Sequence, residues 1–355
     1  MSEKNYHDQL NIDNTERLRN LLEELPRFCK HFFRGIEPTT SSLTRIAYAY
    51  DLRIFFEFLL KSNPLLKNTR IQEINMEILD QIKAIDLEEY LEYLSYYKSE
   101  DMERLNTENG KKRKLVSLRS FYNYYYKKEM ITTNPASLIS VPKLHDKAII
   151  RLEIDEVAKL LDEVESAENM TKKQQKYHEK TKVRDLALMT LLLGTGIRVS
   201  ECVGLDINDV DFDNNGIKIT RKGGYEVVVY FGEEVRQALL DYLEQRNKII
   251  PYEGHINALF LSMQSKRINV RSVENLVKKY SSVVTKLKKI TPHKLRSTYG
   301  TSLYRETGDI YLVADVLGHK DVNTTKKHYA AIEDDRRRSA AKVVKLREKP
   351  DNDLS

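Results

Sequence analysis

The chain carries only two cysteines, Cys29 and Cys202. They lie far apart and neither belongs to a Cys-x-x-Cys pair, which excludes a disulfide framework and a cysteine-ligated zinc site. Cys202 falls on an apolar helical face and reads as small core filler. No run of about 18 apolar residues occurs, so no membrane-spanning helix is expected. The amino terminus, Met1-Ser2-Glu3-Lys4-Asn5-Tyr6-His7, is polar and lacks a hydrophobic signal-peptide core, so the expected location is cytoplasmic. Several catalytic patterns are missing too. His178-Glu179 has no second histidine at zincin spacing, and Gly194-Thr195-Gly196 is not followed by the Gly-Lys-Ser/Thr of a P-loop. No EF-hand or Gly-x-Ser-x-Gly pattern occurs either. The sequence implies no metal and no cofactor. Tryptophan is absent while tyrosine occurs 21 times, so a single tyrosine is first of all a packing residue.

What is present is globular composition with a wet surface: 41% hydrophobic and 32% charged residues. The net charge of +6 is a mild basic excess that favours a polyanionic partner. A length of 355 residues fits two domains. Residues 1–40 read as an amino-terminal extension with one amphipathic stretch, Thr15 to Leu25, broken by Pro26. From Ser41, a good helix cap, Ile46, Leu52, Phe55, Phe56 and Leu59 recur at helical spacing. Ile85 to Tyr97 and Lys111 to Lys128 predict further helices, and Asn134-Pro135 stops the pattern. Residues 41–140 are thus expected to form an all-helical domain of about four helices. Residues 141–148, with Pro142, Lys143 and Lys147, read as a linker.

The second domain, 149–335, opens on a helix through Asp155 to Leu161. The polar segment Glu165 to Lys182 reads as an exposed extension or loop. Leu186 to Leu193 predicts a buried helix ended by Gly194 and Gly196, and a second helix starts near Arg198. The period then becomes two. Val210–Phe212, Gly216–Lys222 and Tyr225–Phe231 predict three short strands, with turns at Asp213-Asn214-Asn215-Gly216 and Gly223-Gly224. Helices resume at Glu233, and residues 336–355 hold a tail helix, Arg336 to Leu346.

Six residues in this half can carry phosphate chemistry. In Thr291-Pro292-His293-Lys294-Leu295-Arg296 a capping threonine and a first-position proline start a helix, so His293 and Arg296 share its first turn. A helix start attracts anions, which makes this a phosphate-sized site, or an ordinary charged helix start. Arg198 follows a two-glycine reversal; its rival role is a salt bridge to Glu201 or Asp206. Lys222, beside Gly223-Gly224, is either a solvated hairpin charge or an ammonium whose lowered pKa suits a general acid. His319 follows Leu317-Gly318 and either caps a helix or faces the site. Tyr329 is a packing residue or a nucleophile. Separately, Lys111, Lys112, Arg113, Lys114 and Arg119 share a helix with apolar Leu115, Leu118, Phe121 and Tyr122, so they form either a phosphate-docking face or a solvated one.

The order of these signals, Arg198, Lys222, His293-x-x-Arg296, Leu317-Gly318-His319 and Tyr329, resembles the catalytic signature of the tyrosine recombinase (phage integrase) family. Tyr48-x-x-Asp51-Leu52-x-x-Phe55, Leu118-Arg119-x-Phe121-Tyr122 and Asn134-Pro135-Ala136 resemble the family's core-binding domain, so the likeness spans most of residues 41–331. Within the family the chain is most similar to Xer-type members of the single-protein XerS kind. The gap from His319 to Tyr329 is one residue longer than in the commonest of these, and the polar segment 165–182 is also longer.

The resemblance implies a mainly α, two-domain protein: a helical core-binding domain and a mixed α/β catalytic domain with a small antiparallel β-sheet. It implies that Tyr329 attacks DNA to form a 3′-phosphotyrosyl link, that Arg198 and Arg296 grip the phosphate in place of metal ions, and that Lys222 protonates the leaving 5′-oxygen. His293 and His319 would assist. It further implies double-stranded DNA with a dif-like recombination site as substrate, a homotetramer on DNA with the tail exchanged between protomers, and an FtsK-type translocase as partner. Resolution of chromosome dimers is the expected role. A mobile-element integrase and a non-catalytic DNA-binding regulator are the alternatives. All six key positions hold competent residues, which speaks against the regulator.

Overall fold

The computed structural model describes residues 5–99, 102–142, 150–221, 223–319 and 321–322. Lys222, Tyr329, most of the expected linker and the tail 336–355 lie outside them. The chain forms two compact units, Met1–Lys147 and Ala148–Ser355.

The first unit begins with α1 (Tyr6–Glu23), α2 (Cys29–Gly35) and α3 (Ser42–Ser62). Helix α1 starts well before the expected Thr15. Asn5 caps it, its side-chain oxygen accepting the Asp8 N–H at 2.8 Å, and the first turns are too polar for periodicity to reveal. Ser41 caps α3 as expected, accepting the Thr44 N–H at 3.3 Å, and Ile46, Leu52, Phe55, Phe56 and Leu59 are all buried. The described part of segment 1–40, set apart above as an extension, is structurally part of this unit. Leu18, Leu21, Leu25, Phe28, Phe32 and Phe33 share one core with Phe55, Phe56, Phe121 and Tyr125. Phe32 touches Phe33, Phe121 and Tyr124 at ring-centroid distances of 5.1, 5.2 and 5.7 Å.

Helices α4 (Glu77–Gln81) and α5 (Ala84–Tyr93) follow. The helix expected through Tyr97 stops at Tyr93, and an antiparallel hairpin of β1 (Tyr96–Ser99) and β2 (Met102–Leu105) comes next. The first unit is therefore not all-helical. Alternation explains the switch: Tyr97 is buried against Tyr93 while Tyr96 and Lys98 face outward. A two-stranded hairpin is marginal alone. Here Asn106 donates to the Leu94 carbonyl at 2.9 Å and Lys61 to the Lys98 carbonyl at 3.3 Å. Helix α6 (Glu108–Lys127) closes the unit, with Leu115, Leu118, Phe121, Tyr122 and Tyr125 in the core.

The second unit starts with α7 (Ile154–Ser166) and α8 (Lys172–Thr195). The segment 165–182, expected as an exposed extension or loop, is mostly the amino-terminal part of α8. Thr171 and Gln174 form a capping box, a signal that the charge of the segment hides. His178 is buried, and its Nε2 lies 2.7 Å from the Val164 carbonyl, which ties α8 to α7. Of the two expected terminator glycines, Gly194 is helical and Gly196 is the left-handed cap (φ 62°).

After α9 (Val199–Gly204) come β3 (Val210–Asp211), β4 (Gly216–Thr220) and β5 (Glu226–Tyr230), an antiparallel sheet in the order β3-β4-β5. Ile217 pairs with Val229 and Ile219 with Val227, and both isoleucines are buried while Lys218 is exposed. Helices α10 (Glu233–Arg246), α11 (Val270–Val284), α12 (Pro292–Thr307) and α13 (Ile310–Leu317) complete the unit. Helix α8 packs on α7, α10 and α12 and is the hub. No helix among the described residues is long and apolar enough to cross a membrane.

Because Phe32 is fully buried, Phe32→Ala should destabilise the first unit by about 3–5 kcal/mol. Urea unfolding followed by circular dichroism measures this. A loss below about 1 kcal/mol would show that α2 is not part of the cooperative core.

Candidate active site

Helix α13 ends at Gly318, whose φ of 62° is left-handed. The last carbonyls of a helix have no partners within it and carry the negative end of its dipole. Here the chain's own N–H groups answer the first of them: Gly318 N–H donates to the Asp315 carbonyl at 2.8 Å and His319 N–H to the Ala314 carbonyl at 2.9 Å. Arginines answer the rest. Arg221 donates to the Asp315 and Val316 carbonyls at 3.3 and 2.6 Å. Arg296 donates to the Leu317 carbonyl, and Arg198 reaches the Gly318 carbonyl at 3.4 Å. Three guanidinium groups from three elements thus sit in a row beside the turn that carries His319.

Each arginine is fixed by its own local structure. Arg198 is the N-cap residue of α9, and Glu201 reaches back to it twice. The Glu201 carboxylate accepts the Arg198 N–H and Nη1, both at 2.7 Å. Glu201 is buried, while the Arg198 side chain is about one-third exposed. The salt bridge considered as a rival role for Arg198 is therefore real, and it leaves the guanidinium facing the cluster. Arg296 is buried in the first turn of α12 and also donates to the Gly196 carbonyl at 2.5 Å. Gly196 itself is left-handed, and a Cβ there would overlap the Tyr299 ring. His293, in the same turn, is exposed, and His319 is half-buried. Pro292 holds the first helical position, but the Thr291 side chain makes no capping bond. The structure thus gathers Arg198, Arg296 and His319 around one helix end. Lys222 and Tyr329 lie outside the described residues.

A model of the phage integrase family matches residues 151–336. Tyrosine recombinase XerC of Caldanaerobacter subterraneus subsp. tengcongensis is 37% identical over 302 residues, covering 83% of this chain and 79% of that protein. The XerC of Leptospira interrogans is 32% identical over 306 residues, covering 86% and 88%. The chain belongs to the phage integrase family. It is a tyrosine recombinase, a DNA strand-exchange enzyme. Among solved structures, the XerH site-specific recombinase bound to palindromic difH substrate in a post-cleavage complex is similar, with a TM-score of 0.67 at 21% identity, covering 96% of this chain and 90% of that one. That likeness supports the two-domain, mainly helical recombinase fold.

The basic residues of α6 divide into two groups. Arg113 is half-exposed and grips the buried carboxylate of Asp51 with both terminal nitrogens, at 2.5 and 2.6 Å. Lys111 pairs with Glu108 at 3.2 Å, and Lys112 is half-buried. Of these three, only Arg113 keeps half of its side chain exposed, while Lys111 and Lys112 are partly covered. Lys114 is buried and donates to Asn106 at 3.0 Å, and Arg119 donates to the Ala136 and Ile139 carbonyls. Their charges serve packing within the unit. Burial raises the pKa of Asp51, against the pull of Arg113 and Lys114, and burial also lowers that of Lys114.

Sequence reasoning missed two residues of the arginine cluster at the end of α13. Glu201 entered only as a rival partner for Arg198. Arg221 was passed over as the neighbour of Lys222, although alternation along β4 puts it on the buried face with Ile217 and Ile219. A charged residue on such a face is the signal. Removing the Glu201 charge should loosen Arg198. Charge-assisted bonds are worth about 1.5–3 kcal/mol each, so Glu201→Gln should slow DNA cleavage roughly 10- to 100-fold. Single-turnover cleavage of a nicked duplex measures this, and an unchanged rate would remove Glu201 from the site.

Proposed function

We propose that this recombinase acts at a dif-like site to resolve chromosome dimers, as a member of the single-recombinase XerS kind. The observation that carries the catalytic reading is the convergence of Arg198 and Arg296 on the consecutive carbonyls of Leu317 and Gly318, one residue from His319. Guanidinium forks held this way by rigid helix ends are prepared to bind the non-bridging oxygens of one phosphate.

In the proposed reaction, the Tyr329 oxygen attacks the scissile phosphorus and gives up its proton, with His293 either taking part in that proton transfer or donating to the phosphate. The bond from phosphorus to the 5′-oxygen breaks, and that oxygen takes a proton from Lys222. The products are a 3′-phosphotyrosyl ester and a free 5′-hydroxyl. The same steps run in reverse when a 5′-hydroxyl from the partner strand attacks the ester and Tyr329 recovers its proton. One phosphodiester is exchanged for another, so no nucleotide is hydrolysed. A free tyrosine ionises near pH 10, so the positive cluster must also favour the phenolate as it forms. His319 holds the phosphate by hydrogen bond or buttresses the site.

Double-stranded DNA is the proposed partner. Its binding by the first unit draws on Lys111, Lys112 and above all the half-exposed Arg113, and less on Lys114 and Arg119. A homotetramer with tails 336–355 exchanged between protomers, and an FtsK-type translocase that licenses strand exchange, complete the proposal. The first unit is proposed as the core-binding unit and the second as the catalytic unit, joined within 141–148.

The test is covalent trapping. In EDTA the protein should form an adduct with a suicide duplex, and Tyr329→Phe should bind the duplex with unchanged affinity yet form none. An adduct in the Phe variant, or strict dependence on added Mg²⁺, would refute the assignment. Lys222→Ala should lose roughly 100-fold or more in cleavage. A 5′-bridging phosphorothiolate, whose thiolate leaves without a proton, should restore most of it; absence of rescue would deny Lys222 the role of acid.

A further inference from the structure

We propose that Arg221 is a positioning residue that locks the β4–β5 hairpin to the end of α13, so that Lys222 and His319 meet the scissile phosphate as one unit. The proposal rests on the roles given above to those two residues. Its physical basis is independent of them.

The backbone of Arg221 is held from both sides. Its N–H donates to the Tyr225 carbonyl at 2.9 Å, and its own carbonyl accepts the Gly224 N–H at 3.0 Å. Arg221 is therefore pinned at the point where the chain leaves β4, directly before Lys222 in the sequence, and Gly223 and Gly224 take φ of 107° and 82°. The side chain points inward along the Ile217 and Ile219 face and is 9% exposed. Its two terminal nitrogens end on the carbonyls of Asp315 and Val316. The neighbour of Lys222 is thus bonded to the helix turn that leads directly into His319.

Gly318 shows how close this fit is. A Cβ at that position would overlap the Arg221 guanidinium, so the glycine gives room for the arginine as well as a left-handed cap. The Nε of Arg221 is buried and makes no hydrogen bond among the described residues. Burying a charge with one donor unanswered weakens a fold relative to an apolar residue of similar size. A valine or isoleucine on this strand face would continue the pattern of Ile217 and Ile219. Helix α13 could also end on Gly318 alone, as many helices do. An arginine here gives what neither alternative offers: a directional two-point link between hairpin and helix end, with a positive charge beside Arg198 and Arg296.

The experiment uses the full chain and single-turnover adduct formation on a saturating suicide duplex. Arg221→Met should form adduct about 100-fold more slowly, with duplex affinity within about threefold of the parent. Arg221→Lys, which restores a charge but not the two-point fork, should recover about a tenth of the parent rate. Coupling decides the matter. If Arg221 acts through Lys222 and His319, then combining Arg221→Met with His319→Ala or with Lys222→Ala should slow adduct formation little beyond the slower single variant. Losses that multiply in both cycles would overturn the proposal, as would a parent-like rate in Arg221→Met. Should Arg221→Met fail to fold cooperatively, the Arg221→Lys cycles decide in the same way. If Lys222→Ala alone cleaves at the parent rate, the acid reading of Lys222 falls, and the His319 cycle still judges Arg221.

Discussion

The second unit is organised around the unmet carbonyls at the end of α13. A helix end inside a protein must find hydrogen-bond donors, and its dipole prefers them positive. Here the donors are Arg221 from the sheet, Arg296 from α12 and Arg198 from the start of α9. Elements with no sequence proximity are thereby brought to one point. The same bonds that satisfy α13 also leave a group of guanidinium charges beside His319. One set of contacts thus meets a structural need and gathers the positive charge on which the proposed phosphate chemistry draws.

Such a cluster repels itself, and the fold answers this locally. Glu201 is buried against Arg198, and the carbonyls of Gly196, Asp315, Val316, Leu317 and Gly318 surround the guanidinium groups with negative dipole ends. Carbonyl dipoles stabilise a cation without neutralising it, so the site keeps its attraction for an anion. A carboxylate opposite every arginine would have cancelled it. Two left-handed glycines leave the room the site needs: a Cβ at Gly318 would overlap the Arg221 guanidinium, and one at Gly196 would overlap the Tyr299 ring.

The first unit uses a different device. Its interior is aromatic, with Phe28, Phe32, Phe55, Phe56, Phe121 and Tyr125 in edge-to-face or tilted contact. Into this interior it draws one carboxylate, Asp51, which accepts both terminal nitrogens of Arg113 and the Ser117 hydroxyl. A buried carboxylate needs such partners, and α6 supplies them. The basic wording of α6 therefore has two meanings at once. Lys114 and Arg119 hold the helix to its surroundings, whereas Arg113 is anchored from inside and remains half-exposed.

Local patterns in the sequence were enough to read α3, the three-stranded sheet, the reversal at Gly196 and the family signature, because periodicity, caps and glycine turns act over a few residues. They failed where a longer-range contact decided. The helix after Ile85 stops at Tyr93 because Tyr97 is pulled into an alternating strand, and the polar run before Lys182, its capping box masked by charge, is fastened to α7 as a helix where His178 meets the Val164 carbonyl. Spacing along the chain likewise singled out Arg198, Arg296 and His319 as chemically able. It could not say that their meeting place is the end of α13, nor that Arg221 shares it. Those carbonyls become acceptors only when three distant segments are packed together, and the free energy of answering them exists only in the folded chain.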